Sequence, residues 1–292
     1  MRVGFVGIGR MGAAIAGRVL GGGHGLTVWN RTPEKTAELA REGADVASSV
    51  ADLCAGVDVV MTMLANDEAL LDVALGPEGI AESLSGGAIH VAMGTHGVVA
   101  IRTLTERHAD AGQVLVAAPV LGRPDAAAAG QLGIVAAGPA DAVHRCQPLF
   151  DTFGRRTFLA GELPESATSI KLANNFVLGA AIETIAEAFA LVRAYGVEPA
   201  LFNEVLTEGL FAAPAYKVYG GIIVEEDYDR VGFTTELALK DVDLTLAAAG
   251  QAHVPLPSAA ILRDRLLTAI AQGDADRDWA VLARNQARLS GL

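Results

Sequence analysis

Along the first half of the chain, short runs rich in Val, Ile, Leu and Ala alternate with longer stretches whose apolar residues recur at helical spacing. The β-rich runs fall at 3–6, 26–29, 57–63, 88–91, 114–117 and 132–136. Strand, helix and strand in succession predict βαβ units in a largely parallel sheet, because parallel neighbours need a crossover between them. From about Pro164 the strand pattern stops, and apolar-periodic segments at 165–195, 198–209, 232–251 and 256–272 predict helices. Turn-forming residues at 161–164 mark the boundary. The expected organisation is an α/β domain over residues 1–162 and an all-helical domain over 163–292.

Composition sharpens this picture. At 292 residues the chain exceeds what one hydrophobic core usually serves, and 51% hydrophobic against 19% charged residues excludes a disordered chain. With 5% aromatics, the cores must be built mainly from Ala, Val, Leu and Ile. A net charge of −12 repels a phosphate backbone and argues against nucleic acid as the partner. Cys54 and Cys146 stand in no metal-binding or redox spacing, so they are expected as two reduced thiols. No signal-peptide pattern opens the chain, which makes a cytoplasmic location the expectation. The most membrane-like stretch, 172–191, is interrupted by Asn174, Asn175, Glu183 and Glu187, so it is expected as a buried helix and not as a membrane span.

The first strand runs directly into Gly7-Ile8-Gly9-Arg10-Met11-Gly12, a G-x-G-x-x-G at the junction of strand and helix. That context gives the motif its meaning. Gly7 permits the tight turn, Gly9 lets a pyrophosphate approach the backbone, and Gly12 lets the helix pack on the strand, with the helix N-terminus facing the negative charge. The domain is therefore read as a Rossmann domain for a nicotinamide dinucleotide. Gly21, Gly22, Gly23 and Gly25 end the helix, with His24 as a turn residue among them.

Eighteen residues past Gly12, where NAD-selective sites place a carboxylate on the ribose, the chain reads Asn30-Arg31-Thr32. Asn30 suits a ribose hydroxyl, while Arg31 and Thr32 suit a 2'-phosphate. NADP(H) is the expected cofactor; the competing reading makes Arg31 a solvated loop residue and the cofactor NAD. Leu64 and Ala65, just past the third strand, complete the expected cofactor residues.

In the first long helix, Lys171, Asn174 and Asn175 stand at i, i+3 and i+4, so they share one face of an otherwise apolar segment. A lysine beside a nicotinamide can protonate a carbonyl oxygen as hydride arrives, or take the hydroxyl proton in reverse, while an asparagine holds the same substrate. The face alone equally allows a hydrogen-bond network with no chemistry.

The sequence resembles the β-hydroxyacid dehydrogenase family, which includes 3-hydroxyisobutyrate dehydrogenases, tartronate semialdehyde reductases and glyoxylate/succinic semialdehyde reductases. The resemblance rests on the opening G-x-G-x-M-G, Met93-Gly94-Thr95, Ala118-Pro119-Val120-Leu121-Gly122-Arg123, Lys171-Leu172-Ala173-Asn174-Asn175 and Lys240-Asp241, in order along the whole chain. It implies Lys171 as general acid/base, Asn175 as a substrate ligand, and Thr95 and Lys240 as contacts where cofactor and substrate meet. It also implies a 6-phosphogluconate dehydrogenase-like fold, with assembly into homodimers or homotetramers through the helical domain. Without it, Thr95 is an ordinary strand-end hydroxyl and Lys240 a helix lysine paired with Glu236 at i, i+4. His96, between Gly94 and Gly97, reads as a turn histidine more readily than as an auxiliary acid.

Two departures bear on the substrate. Many relatives carry Ser-Gly-Gly where this chain has Leu121-Gly122-Arg123, and Ser-Thr where it has Gly94-Thr95. A hydroxyl is lost at each place. The backbone around Gly122 can still hold a carboxylate, and Arg123 is expected at the substrate mouth, selecting a small anionic substrate. The imine reductases are the rival reading: they share the architecture and the run Val28-Trp29-Asn30-Arg31-Thr32, but generally have aspartate or tyrosine where this chain has Lys171. A non-catalytic sensor of nicotinamide cofactors is the other alternative, because fold alone does not imply catalysis.

Overall fold

A computed structural model describes residues 1–292, which divide into two compact units, Met1–Lys171 and Leu172–Leu292. The first unit opens with β1 (Arg2–Val6), α1 (Arg10–Gly21), β2 (Gly25–Trp29), α2 (Ala37–Arg41), β3 (Asp45–Val46), α3 (Val50–Cys54) and β4 (Val59–Thr62). Next come α4 (Asp67–Leu75), α5 (Ile80–Ser83), β5 (Ile89–Ala92), α6 (Val98–Asp110) and β6 (Val114–Ala117). It closes with β7 (Val120–Leu121), α7 (Pro124–Ala128), β8 (Leu132–Ala136), α8 (Ala140–Phe153) and β9 (Gly154–Leu159).

Six of these strands form a parallel sheet in the order β3-β2-β1-β4-β5-β6. Chain order reverses between β1 and β4, and the carboxyl ends of strands at such a switch point are where open α/β sheets bind ligands. The central strands β1, β4 and β5 are buried along nearly their whole length, which is why they read as continuous apolar runs and not as alternating ones.

Residues 132–136 do form a strand, but it belongs to a second, mixed sheet β7-β8-β9, antiparallel to β7 and parallel to β9. Strand β9 escaped the sequence reading because it is an edge strand with largely exposed residues, among them Arg155 and Arg156, and so lacks an apolar run.

The interior of the first unit holds a polar chain at its centre. Thr62 Oγ1 lies 3.0 Å from His90 Nε2, His90 Nδ1 2.8 Å from His108 Nε2, and His108 Nδ1 2.6 Å from Gln113 Oε1. Gln113 Nε2 donates to the Ala81 and Leu84 carbonyls, which fixes Oε1 as the acceptor and orders the protons back along the line to Thr62. Burial holds both imidazoles below their usual range, and His90 is held lower still by the neighbouring His108 and His96.

An unfolded chain takes up protons on these histidines as pH falls through about 6.5, whereas the folded chain resists. Stability present above that pH is therefore lost below it, by up to about 1.4 kcal/mol per pH unit for each histidine. Glu183, raised to about 7, takes up a proton in the folded chain over the same range and offsets part of this loss, so the test is a difference: between pH 7.5 and 5 the denaturation midpoint should fall more steeply in the native chain than in His108→Gln. Equal slopes in the two proteins would show that these imidazoles protonate in place.

Helix α9 (Pro164–Ala194) is continuous over 31 residues, and the chain divides within it. The second unit continues with α10 (Pro199–Glu208), α11 (Pro214–Glu225), α12 (Thr235–Gln251), α13 (Pro257–Ala271) and α14 (Leu282–Leu289). Helix α9 is long and apolar enough to cross a membrane, but Ile182, Ile185, Ala186 and Phe189 belong to the hydrophobic core of this unit, with Tyr219, Leu262, Leu266 and Trp279. Of its interrupting polar residues, Asn175 and Glu183 are buried while Asn174 and Glu187 stay exposed; Arg265 Nε lies 2.9 Å from Glu183 Oε1, and burial nonetheless pushes Glu183 up to about 7.

Helix α11 was not legible, because Gly220-Gly221 and its β-branched residues disfavour a helix. Packing overrides propensity there: Tyr219 and Ile223 enter the core, and the Asn203 side-chain oxygen Oδ1 occupies the place of a Cβ at Gly220. Cys54 and Cys146 are buried free thiols, pushed by burial to about 11 and about 12.

Candidate functional site

The loop after β1 has the shape its glycines require. Gly7 adopts φ +98°, and a Cβ there would strike the Met63 carbonyl; a Cβ at Gly12 would fall on the Gly7 carbonyl, so helix and loop approach at the closest distance the chain allows. At Gly9 a Cβ would meet nothing within 4 Å. That open, exposed position is the N-cap of α1, whose first turn carries no acidic residue, so the helix terminus stays favourable to an anion. The cradle fits the pyrophosphate of a dinucleotide. Arg10 is exposed at the first turn, and Met11 packs partly against the core.

Ile8 serves the loop differently from the glycines. Its side chain is buried in the core and its N–H donates to Asn30 Oδ1 at 2.8 Å. Asn30 in turn donates from Nδ2 to the Thr32 carbonyl at 2.9 Å. The amide expected on a ribose hydroxyl thus braces the glycine loop against the end of β2, leaving Arg31 and Thr32 exposed beside it.

Two further loops meet at the carboxyl edge of the sheet. After β4, Leu64 is half-buried and Ala65 exposed; after β5, Thr95 is half-buried between a buried Gly94 and a buried His96. Both oxygens of Asp67 accept from the Gly97 N–H, at 2.9 and 3.1 Å, and Oδ1 lies 3.2 Å from His96 Nδ1. His96 is therefore a packed, partnered histidine. Asp67 carried no sequence signal beyond a favourable first-turn acid, since its partners stand about thirty residues away.

Lys171, on α9, donates from Nζ to the Val120 carbonyl at 2.8 Å. This brings it to the segment 120–123, where Gly122 at φ +139° turns the chain out of β7 and Arg123 forms the N-cap of α7. Leu121 is half-buried and packs on the cluster of Leu70, Leu104 and Leu115. Arg123 is half-buried.

In the second unit, Asn175 donates from Nδ2 to Asp241 Oδ2 at 2.6 Å, and Lys240 Nζ lies 2.9 Å from Asp241 Oδ1. Asp241 is 3% exposed, so a single buried carboxylate orients both residues that the resemblance assigns to the site. Asn174 donates to Asn175 Oδ1 at 3.4 Å. Asp241 had no assigned role, although it stands in a matched motif; a sequence position does not reveal which side chains a carboxylate faces.

The model for the NAD binding domain of 6-phosphogluconate dehydrogenase matches residues 2–161, and that for the NAD-binding of NADP-dependent 3-hydroxyisobutyrate dehydrogenase matches residues 166–285. The chain is 39% identical to the uncharacterized oxidoreductase YfjR of Bacillus subtilis, over 97% of this chain and 99% of that protein. It is 30% identical to the 3-hydroxyisobutyrate dehydrogenase of Pseudomonas aeruginosa, over 94% of each. It is also 30% identical to glyoxylate/succinic semialdehyde reductase 2 of Arabidopsis thaliana, over 96% of this chain and 78% of that protein.

Among solved structures, the 3-hydroxyisobutyrate dehydrogenase of Mycobacterium tuberculosis, determined with L-serine, superposes with TM-score 0.88 at 24% identity, covering 98% of this chain and 99% of that one. An imine reductase of Streptomyces aurantiacus shares the fold at TM-score 0.64 and 21% identity, with the same coverage. The chain belongs to the β-hydroxyacid dehydrogenase family of NAD(P)-dependent oxidoreductases.

Proposed function

We propose that this enzyme uses NADP(H) to interconvert a small 3-hydroxy acid and its semialdehyde or keto acid, with Lys171 as general acid/base. The observation that carries the reading is the hydrogen bond from Lys171 Nζ to the Val120 carbonyl, which fixes an amine beside the Gly122 turn. The naming of two relatives at 30% identity as a 3-hydroxyisobutyrate dehydrogenase and a glyoxylate/succinic semialdehyde reductase supports the substrate class.

The bound dinucleotide supplies the hydride donor or acceptor. Lys171 gives a proton to the carbonyl oxygen in reduction and takes the hydroxyl proton in oxidation. The Gly122 turn and Arg123 receive the substrate carboxylate, Arg123 through paired hydrogen bonds. Asn175 and Lys240 keep the roles that the resemblance implies, held in orientation by Asp241. Assembly through the helical unit into a homodimer or homotetramer belongs to the same reading.

The direct test is oxidation of NADPH and NADH with a panel of semialdehyde acids, uncharged aldehydes and cyclic imines. Turnover of the semialdehyde acids is expected; turnover of cyclic imines alone would replace this reading with that of an imine reductase.

Two variants separate the parts. Arg31→Ala should lower kcat/KM with NADPH much more than with NADH, because its guanidinium is suited to a 2'-phosphate; equal losses would remove the phosphate-specific role. Arg123→Ala should raise KM for carboxylate-bearing substrates by roughly tenfold, about 1.4 kcal/mol, with little change for uncharged aldehydes. Loss on both substrate types would take Arg123 out of the carboxylate site.

A further inference from the structure

We infer that Asp67 and His96 form a positioning latch that presents Thr95 to the reaction, an inference that rests on the function proposed above. The latch joins two loops that leave adjacent strands. Strands β4 and β5 pair in register from Val59↔Ile89 to Thr62↔Ala92, so the segments that follow them, 63–66 and 94–97, emerge side by side at the carboxyl edge of the sheet. Asp67 closes the pair from one side, taking the Gly97 N–H on both oxygens and His96 Nδ1 on Oδ1.

Its charge is well placed for this. Asp67 is the first residue of α4, and its partner Gly97 is the N-cap of α6, so two helix termini favour the carboxylate at once. His96 closes the loop from beneath: its imidazole is 1% exposed, and Nε2 occupies the place of a Cβ at residue 94. Gly94 is what allows that approach. The outcome is a four-residue loop in which Gly94, His96 and Gly97 are buried and Thr95 alone keeps exposure. Every anchor holds a neighbour of Thr95, and the same carboxylate ties that neighbourhood to the segment bearing Leu64 and Ala65.

A simple helix cap would affect stability and nothing else. A latch acts through Thr95, so its loss must couple to loss of the Thr95 hydroxyl. In a double-mutant cycle read with NADPH and the best semialdehyde acid, Asp67→Ala should lower kcat by roughly tenfold, with substrate KM little changed, and should add almost nothing in a Thr95→Ala background. Additive losses would overturn the latch.

The apo enzyme gives an independent readout: hydrogen exchange at the Gly97 amide should be at least about tenfold faster in Asp67→Ala, at an unchanged global midpoint. Exchange at the native rate would also overturn it. If Asp67→Ala fails to fold, Asp67→Asn serves in its place, because the amide oxygen replaces only part of the carboxylate's contact, and both measurements are read the same way. If the native enzyme turns over no carbonyl substrate, the proposed function fails; the same double-mutant cycle read in NADPH affinity then decides the latch, non-additive losses from Asp67→Ala and Thr95→Ala supporting it and additive losses or no loss overturning it.

Discussion

Replacing Lys171 by alanine is expected to cut turnover by roughly 10²–10⁴-fold, the usual worth of a positioned acid/base, while dinucleotide affinity stays nearly unchanged. The separation follows from where Nζ sits. It donates to the Val120 carbonyl beside the 120–123 segment, whereas the glycine cradle proposed for the pyrophosphate is built by β1 and α1. Removing the amine also takes a donor from a buried carbonyl, at a cost of about 1 kcal/mol, so reduced activity must be distinguished from reduced stability. Lys171→Arg does this: the guanidinium restores a donor for Val120 but does not release its proton. It should unfold at the native midpoint and remain slow. Near-normal turnover in either variant would make Lys171 structural and refute the mechanism.

Gly12→Ala should abolish useful dinucleotide binding, weakening it by at least about 100-fold, or about 2.7 kcal/mol. The added methyl would fall on the Gly7 carbonyl oxygen, with the Phe5 ring 3.4 Å away. Neither neighbour can yield easily. Gly7 is itself held at a positive φ under the Met63 carbonyl, and Phe5 is fully buried in the core. Relief therefore requires the loop to leave α1, which removes the cradle. Gly9→Ala, whose methyl meets no protein atom, should fold normally and lose affinity only by intruding on the ligand. Titration of NADPH fluorescence against both variants and the native chain checks the pair, and an unaffected Gly12→Ala would mean that the loop is softer than its contacts imply.

Local pattern carried much of this protein. A G-x-G-x-x-G between an apolar run and a helical one can hardly be read otherwise, because the turn, the close approach and the helix packing are all properties of adjacent residues. The five long parallel strands and the switch from strands to helices near Pro164 were legible for the same reason: a strand writes a short β-rich run, continuous where both faces are buried, and an amphipathic helix writes its period. The resemblance to one family, carried by short motifs spaced along the chain, was legible too.

What the pattern could not supply were the relations between distant residues. Residues 132–136 announced a strand but not its sheet, since membership depends on pairing with β7 and β9, and the exposed edge strand β9 has no apolar signature. Asn30 was chemically suited to a ribose hydroxyl, yet only the folded chain brings Ile8 N–H to 2.8 Å from its carbonyl and makes it a brace. Asp67 and Asp241 were silent in the sequence because a carboxylate acquires its role from what it faces. For Asp67 the partners lie on the next strand's loop, and for Asp241 one of them lies on another helix, 66 residues away. Chemistry of type and spacing is written locally; orientation comes from tertiary contacts between residues far apart in the chain, and those form only on folding.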